Sequence, residues 1–304
     1  MFSAMMLLVS VVTAILNLDT SVVFLTPVLI HTARQRGIPE DAFVYGAIFM
    51  ANGASLVLPG SNLTNLLVLT TSHLRSGTFA REMVLPWIAS IVVITIMISV
   101  WRWRDLVSPP TGGVSPPAGH WGVGLLGIVV ATGLVLTLAH PALPILVTGL
   151  ACVSVDVWWL RRLTIAEARK SVNGATLLAL MAVALTLGVL AREWSGPANL
   201  MASAGPWSTA VLGAGLSNVV NNLPAAVLLS STSLHHPLAL LIGLDLGPNL
   251  LVTGALSSLL WLRIARAAGA HPSPLRFSLL GSAITVSSMV AALLTLQIVA
   301  PGAF

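Results

Sequence analysis

The sequence predicts an all-α polytopic membrane protein, and three observations carry that prediction. Of 304 residues, 56% are hydrophobic and only 8% charged, and the mean hydropathy is +0.96. A soluble domain carries about 25% charged residues because its surface faces water; 14 Lys+Arg and 9 Asp+Glu are too few to cover this chain. Uninterrupted apolar runs lie at 84–101, 121–139, 142–160, 174–191 and 277–299, each close to the ~20 residues that span a bilayer as helix. Finally, the net charge of +5 and the pI near 11.0 come mostly from short loops between apolar spans, which reads as membrane topology rather than nucleic-acid binding. The single cysteine, Cys152, excludes an intramolecular disulfide and a thiolate metal or redox site. Met1 leads into apolar residues without a basic region, so no removable signal peptide is expected.

Four further apolar regions are interrupted by polar residues. Region 1–31 is broken at Asn17-Leu18-Asp19-Thr20-Ser21 and again at Thr26-Pro27. Region 42–73 is broken at Asn52-Gly53-Ala54-Ser55 and at Pro59-Gly60-Ser61-Asn62. Asn221-Asn222-Leu223-Pro224 breaks region 207–235, and Asp245-Leu246-Gly247-Pro248-Asn249 breaks region 237–262. Non-helical backbone at membrane depth survives only when it is buried in protein or lines a cavity. Broken helices in corresponding places point to a transporter's binding site.

The breaks correspond. At a constant offset of 193, Asn52 faces Asp245, Thr64 faces Ser257 and Asn65 faces Ser258. The earlier pair, Asp19 with Asn222, gives 203, the difference being the polar stretch Thr32–Asp41. The chain therefore divides into a first repeat, 1–107, a linker, 108–120, rich in Pro and Gly, and a second repeat, 121–304. If 1–31 and 207–235 are re-entrant hairpins, while 42–73 and 237–262 cross with a break, the loops on one side hold eleven of the 14 basic residues. These are Arg34, Arg36, Arg102, Arg104, Arg161, Arg162, Arg169, Lys170, Arg263, Arg266 and Arg276, against Arg75, Arg81 and Arg192 opposite. The positive-inside rule places the eleven, and the linker, in the cytoplasm of a multi-pass cell-membrane protein. The copies then run in opposite senses, which gives an inverted-repeat secondary transporter with two re-entrant hairpins and two broken transmembrane helices. The second repeat supplies about three helices before its hairpin and the first supplies none, so an inverted repeat predicts about 80 further residues ahead of Met1.

These residues resemble a known family. Leu25-Thr26-Pro27 after an acidic break, Ala54-Ser55-Leu56 leading to Ser61-Asn62-Leu63, Asn221-Asn222-Leu223-Pro224, and above all Asp245-Leu246-Gly247-Pro248 running to Leu259-Leu260-Trp261-Leu262 resemble the arsenite/antimonite efflux permeases (ArsB type) of the ion-transporter superfamily. The resemblance spans Ala14 to about Leu296. It implies export of arsenite or antimonite, in exchange for protons. The superfamily also holds sodium- or proton-coupled carriers of organic or inorganic anions (dicarboxylate and citrate type) and sodium/proton antiporters, which remain as alternatives. This chain departs from the family pattern at Leu18-Asp19, where Asn-Asp is usual, at Asn52, where an acid is usual, and at Asn249, where a lysine is frequent.

The chemistry expected at the breaks is polar and uncharged except for two acids. Unwound carbonyls coordinate cations and half-helix N-termini favour electron-rich groups. Gly53, Ser55, Gly60 and Gly247 are small enough for a ligand to approach the backbone, and Asn17, Thr20, Asn52, Ser61, Asn62, Asn221, Asn222 and Asn249 supply donors and acceptors without charge. Asp19 and Asp245 are the acids expected near the midplane, each serving as a proton or sodium carrier or else as a helix cap. The repeat gives each half one Asp and one Asn in exchanged positions, hence two ion sites around a central substrate. No bound cofactor or resident metal is expected beyond the coupling ion, with sodium a candidate at the breaks. The expected partners are a small inorganic or anionic substrate and the bilayer, not nucleic acid; a separate soluble ATPase subunit and a homodimer are left open.

The remaining features are read as structural. His235-His236 falls in a loop, Cys152 in the apolar part of a helix, and Asp156 beside Arg161 and Arg162 at a helix end. Trp101, Trp103, Trp121, Trp158, Trp159 and Trp261 cluster near span ends, as interfacial anchors do. An enzyme is not expected: Gly243-Leu244-Asp245 lacks the Gly-x-Gly-Asp of intramembrane aspartyl proteases, and Gly215-Leu216-Ser217-Asn218 lacks the Gly-x-Ser-Gly of rhomboid-like ones.

The topology makes a direct prediction. In a Cys152→Ala background, His235→Cys and Arg192→Cys should both react with an impermeant maleimide in intact cells; labelling of only one contradicts the hairpin at 207–235.

Overall fold

The computed structural model describes residues 1–107, 142–160, 196–230 and 234–303, with scattered positions between 126 and 189. The linker at 108–120, most of the runs at 121–139 and 174–191, and Arg161, Arg162, Arg169, Lys170 and Arg192 lie outside the described residues. All described regular structure is helical. Helices α1 (Phe2–Leu16) and α2 (Leu18–Gln35) meet at Asn17, and α3 (Asp41–Ala54) is followed by a single turn, Pro59–Ser61, and α4 (Leu63–Ser72). Next come α5 (Ser76–Trp101), α6 (Trp103–Val107), α7 (Ala142–Ser154), which continues into a π turn at Val155–Trp159 carrying Asp156, and α8 (Gly196–Ser203). Helices α9 (Pro206–Val220) and α10 (Asn222–Leu229) meet at Asn221. Then α11 (Pro237–Leu246) is followed by short turns at Gly247–Asn249 and Val252–Gly254, α12 (Leu256–Ala267) and α13 (Pro274–Val299).

All four regions break where polar residues interrupt the apolar pattern, but the pairing of the first two shifts by one residue. Asn17 (φ 115°, ψ 167°) and Asn221 (φ 82°, ψ 153°) share a backbone region that is essentially glycine's. Asn17 therefore corresponds to Asn221, and Asp19 falls opposite Leu223 rather than Asn222. The later pair keeps the offset of 193. Leu58 (φ −119°, ψ 146°) matches Leu251 (φ −131°, ψ 144°), Asn62 (φ −147°, ψ 144°) matches Ala255 (φ −141°, ψ 151°), and the turns between them coincide. Thr26-Pro27 is not a break. Pro27 lies inside α2, where its missing N–H costs one bond and the flanking turns carry the helix on.

Two helices form the centre. Every residue of α3 from Ala42 to Ala54 is buried, as is every residue of α11 from Leu238 to Leu246. A helix apolar and buried all round belongs to a core rather than to a surface. Around this pair, α2 and α5 pack on α3, α9 and α13 pack on α11, and α5 runs along α13. Tyr45, Phe49, Trp261 and Phe277 interlock, with Phe49 and Phe277 ring centres 4.8 Å apart. Trp261 is thus not an interfacial anchor: it is fully buried and donates its indole N–H to Val44 O (2.8 Å), which ties α12 to α3.

The outer surface suits lipid. Helices α5 and α13, each 26 residues and about 39 Å long, are long and apolar enough to cross a membrane. Val84, Ile88, Val92, Ile96 and Val100 form an exposed apolar stripe four residues apart on α5, the kind of patch that marks a contact with lipid or another protein. At the end of α5 away from Arg75, Asp41 bonds both Arg102 and Arg276 (2.8 Å for the latter), while Arg34 bonds Glu40 (2.5 Å) and the carbonyls of Ala268 and Gly269 (2.7 and 2.9 Å). Three of the basic residues assigned to one side therefore do gather at one end.

Helices α9 and α11 touch backbone to backbone. A Cβ on Gly243 would lie 2.0 Å from Ala210 O, and one on Gly247 would lie 2.4 Å from Ala214 Cα. Small residues four apart allow this approach between helices that have no hydrophobic drive to associate in lipid. Gly243→Val should lower stability in detergent by about 3 kcal/mol or more, because rigid backbone blocks relaxation. Gly215→Ala, at an open position inside α9, should keep or slightly raise the unfolding midpoint; a loss as large as that of Gly243→Val contradicts the close contact.

Candidate functional site

The two later breaks face one another around Asp245. Its side chain, 1% exposed at the end of α11, accepts bonds from Thr64 Oγ1 (2.8 Å) and Asn62 Nδ2 (2.9 Å) at one oxygen and from Ser55 Oγ (3.1 Å) at the other. Ser55 and Asn62 lie in the break between α3 and α4 and Thr64 in the first turn of α4, all more than 180 residues earlier. The helix-cap alternative for Asp245 is therefore not what the structure adopts. Asn52, whose carbonyl accepts from Ser55 Oγ (2.8 Å), donates through Nδ2 to Asn249 Oδ1 (2.7 Å), a second bridge between the breaks.

Side chains also hold the unwound backbone. Ser61 Oγ donates to Ser55 O and to Leu58 O (2.5 Å), and Asn65 Nδ2 bonds the same two carbonyls at 2.7 and 3.1 Å. In the second break Asn218, on α9, donates to Gly247 O (2.8 Å) and accepts from Leu251 N (3.0 Å), while Asn221 donates to Thr253 O (3.3 Å). Freed helix-end groups buried in protein need such partners.

Asp19 occupies a different place. In the first turn of α2 it is half-buried and makes no hydrogen bond or ion pair among the described residues. The cap of α2 is Asn17, whose Oδ1 accepts from Thr20 N (2.9 Å). Across the break Thr13 Oγ1 donates to Ser21 Oγ (2.7 Å). Asp19 lines a cleft of about 90 Å³ with Asn17, Leu18, Gly60, Ser61, Asn62 and Leu63. Asn62 thus touches the cleft on one side and Asp245 on the other.

Of the residues singled out by sequence, Asn52, Ser55, Asn62, Asp245 and Asn249 meet in one cluster, and Ser61 joins it through Ser55 O. Asn17 and Asp19 face it across the cleft, Thr20 serves the α2 cap with its N–H, and Asn221 braces the second break. Asn222 is buried at the start of α10 but makes no contact with the cluster that a hydrogen bond marks. A Cβ on Gly247 would meet Ala214 Cα at 2.4 Å, so this glycine serves helix packing, while a Cβ on Gly53 would meet the end of the Ile94 side chain at 2.4 Å. Gly60 is open, with no atom near its missing Cβ. Sequence reasoning missed Thr64, Asn65 and Asn218. The repeat register marked the first two, since both align with serines, whereas nothing local marks Asn218.

A buried carboxylate held only by neutral donors, with no basic partner among the described residues, is costly to keep charged. Paired broken helices meeting around such a group, on a body with a lipid-facing surface, define a membrane transporter. The chain belongs to the citrate transporter (CitMHS) family, whose model matches residues 1–253. It is 29% identical over 302 residues to the arsenical pump membrane protein of Escherichia coli (strain K12), covering 87% of this chain and 69% of that protein. It is 27% identical over 304 residues to the Yersinia enterocolitica arsenical pump membrane protein, with the same coverage. An uncharacterized transporter of Mycobacterium tuberculosis (strain H37Rv) is 27% identical over 331 residues, 95% of this chain and 74% of the relative.

Thr64→Val keeps volume but deletes a donor to the buried carboxylate, which should cost about 1–3 kcal/mol. Thr70→Val, at an exposed position where the hydroxyl bonds its own helix, should stay within about 0.5 kcal/mol. Denaturation of the two variants in detergent compares them; equal midpoints contradict the bond's importance.

Proposed function

We propose that the protein is a secondary active transporter that exports arsenite or antimonite across the cell membrane in exchange for protons. The observation that carries this is the Asp245 cluster: one buried acid without a countercharge among the described residues, held by two hydroxyls and one amide at the opposite break. Protonation removes acceptor capacity from the carboxylate, which loosens its bonds to Ser55, Asn62 and Thr64 and so the joint between the two halves. Charge state and conformation are linked at one atom group. Trivalent arsenic as its neutral trihydroxide needs donors and acceptors, which the cluster offers, and no charge clamp; none of the residues building the site is basic. The names of the arsenical pump relatives support the same substrate.

The membrane arrangement belongs to this proposal. The helix pairs meeting at Asn17 and Asn221 are the re-entrant hairpins, α3–α4 and α11–α12 are the broken crossings, and the end bearing Arg34, Arg102 and Arg276 faces the cytoplasm. A proton is the coupling ion, with sodium as the variant; a soluble ATPase subunit and a homodimer remain compatible additions.

The second reading, a sodium- or proton-coupled carrier of citrate or another anion, is favoured by the description of the matching family. Sodium/proton antiport would use the same acid. Expression in an arsenic-sensitive host lacking an arsenate reductase separates them. Resistance to arsenite but not arsenate is expected, since arsenate is anionic at neutral pH and would need a compensating charge in low dielectric. Equal protection against both, or protection against neither with citrate uptake, overturns the export reading.

A further inference from the structure

Helix α13 rests directly on the second break. Its buried face carries Phe277, Gly281, Thr285 and Ser288 at helical spacing, while Leu275, Leu279, Val286 and Leu294 are exposed on the other side. A plain packing stripe would match the one on α5, and much of it does. Phe79, Met83, Pro86 and Ser90 recur 198 residues later as Phe277, Gly281, Ile284 and Ser288, all of them buried. Two positions differ in kind: Gly281 stands where α5 has Met83, and Thr285 where α5 has Trp87. Both fall where α13 meets the backbone between α11 and α12.

A Cβ on Gly281 would lie 1.8 Å from Asn249 O and 2.9 Å from Asn249 C, closer than any such contact between α9 and α11. One turn along, Thr285, 2% exposed, donates from Oγ1 to Leu246 O (3.3 Å), the last carbonyl of α11 and the one that follows Asp245. Successive turns of α13 thus touch the backbone on both sides of Gly247-Pro248. Asn218 holds the same turn from α9, through Gly247 O. Asn249 closes that turn and receives Asn52 Nδ2 at 2.7 Å. Cβ atoms essentially never approach another group within 3.0 Å, so an alanine at Gly281 would drive α13 and Asn249 apart by about 1 Å or more, enough to break that bond.

We infer that Gly281 and Thr285 are positioning residues for the paired breaks. Gly281 seats Asn249 where it meets Asn52, and Thr285 seats the end of α11 that presents Asp245 to Ser55, Asn62 and Thr64. A helix with an apolar outer face, contributing no side chain to the cluster, is thereby part of the transport machinery. The inference deepens the export reading and rests on it for its assay.

Arsenite uptake by everted vesicles carrying the full chain, normalised to folded transporter, tests it. Thr285→Val keeps the volume and removes the donor, and should lower kcat/KM about tenfold or more. Thr285→Ser keeps the hydroxyl and should return kcat/KM to within about twofold of wild type. Ser282→Ala, at an exposed position where the hydroxyl bonds its own helix, should match wild type. Gly281→Ala should cost about tenfold in the wild-type background and less than about threefold in Asn52→Ala, because residues acting through one contact are not additive. A wild-type-like Thr285→Val, equal losses in its Val and Ser variants, or the same cost of Gly281→Ala in both backgrounds overturns the inference while the export reading stands. If Gly281→Ala does not assemble, the Thr285 pair decides alone. Uptake of citrate instead of arsenite by the wild type fails the export reading, and the same ratios measured with citrate then decide the positioning roles.

Discussion

The structure depends on where a single carboxylate is placed. Asp245 sits at the end of a helix buried on all sides, out of reach of water and of any basic side chain among the described residues. A charge in that position is tolerable only because Ser55, Asn62 and Thr64 converge on it. That convergence requires the chain to unwind twice, after α3 and after α11, and to bring both unwound stretches together. The other features serve this arrangement: the serine and asparagine braces that satisfy freed carbonyls, the glycines that let α9 lie against α11, and the aromatic interlock that fixes α12 to α3.

Much of this was legible in the sequence, and the part that was not has a physical reason. Breaks are written locally, as Asn, Gly, Pro and Ser inside apolar runs, so all four regions could be located. At positions 193 apart around the later breaks the backbone angles are alike, Leu58 with Leu251 and Asn62 with Ala255. Local signals misled where one residue type has two uses. Pro27 looks like a breaker but is carried inside a helix. Trp261 resembles an interfacial anchor by position, yet its N–H finds Val44 O in the core. Gly247 reads as ligand-accessible because both uses of glycine exploit its missing Cβ, and here the neighbour, Ala214 Cα, decides for packing.

Partnership across the chain was illegible. Nothing near Asp245 announces that its donors lie more than 180 residues away, and nothing near Asn218 announces that it braces Gly247 O and Leu251 N. The one-residue shift of the first pairing came from aligning side-chain type, Asp19 with Asn222, whereas backbone strain pairs Asn17 with Asn221. That shift matters chemically. It sets Asp19 opposite Leu223 and leaves Asp245 as the acid hydrogen-bonded across the two later breaks.

The account stands or falls on that acid. Asp245→Asn preserves shape and one acceptor oxygen while removing titration and charge. The most direct measurement is arsenite accumulation in everted membrane vesicles under an imposed pH gradient, with exchange of arsenite down its own gradient as the companion assay. The account predicts that Asp245→Asn abolishes gradient-driven accumulation and retains exchange. Accumulation at the wild-type level in that variant would contradict it, and Asp245 would then be a structural bridge between the two breaks and nothing more.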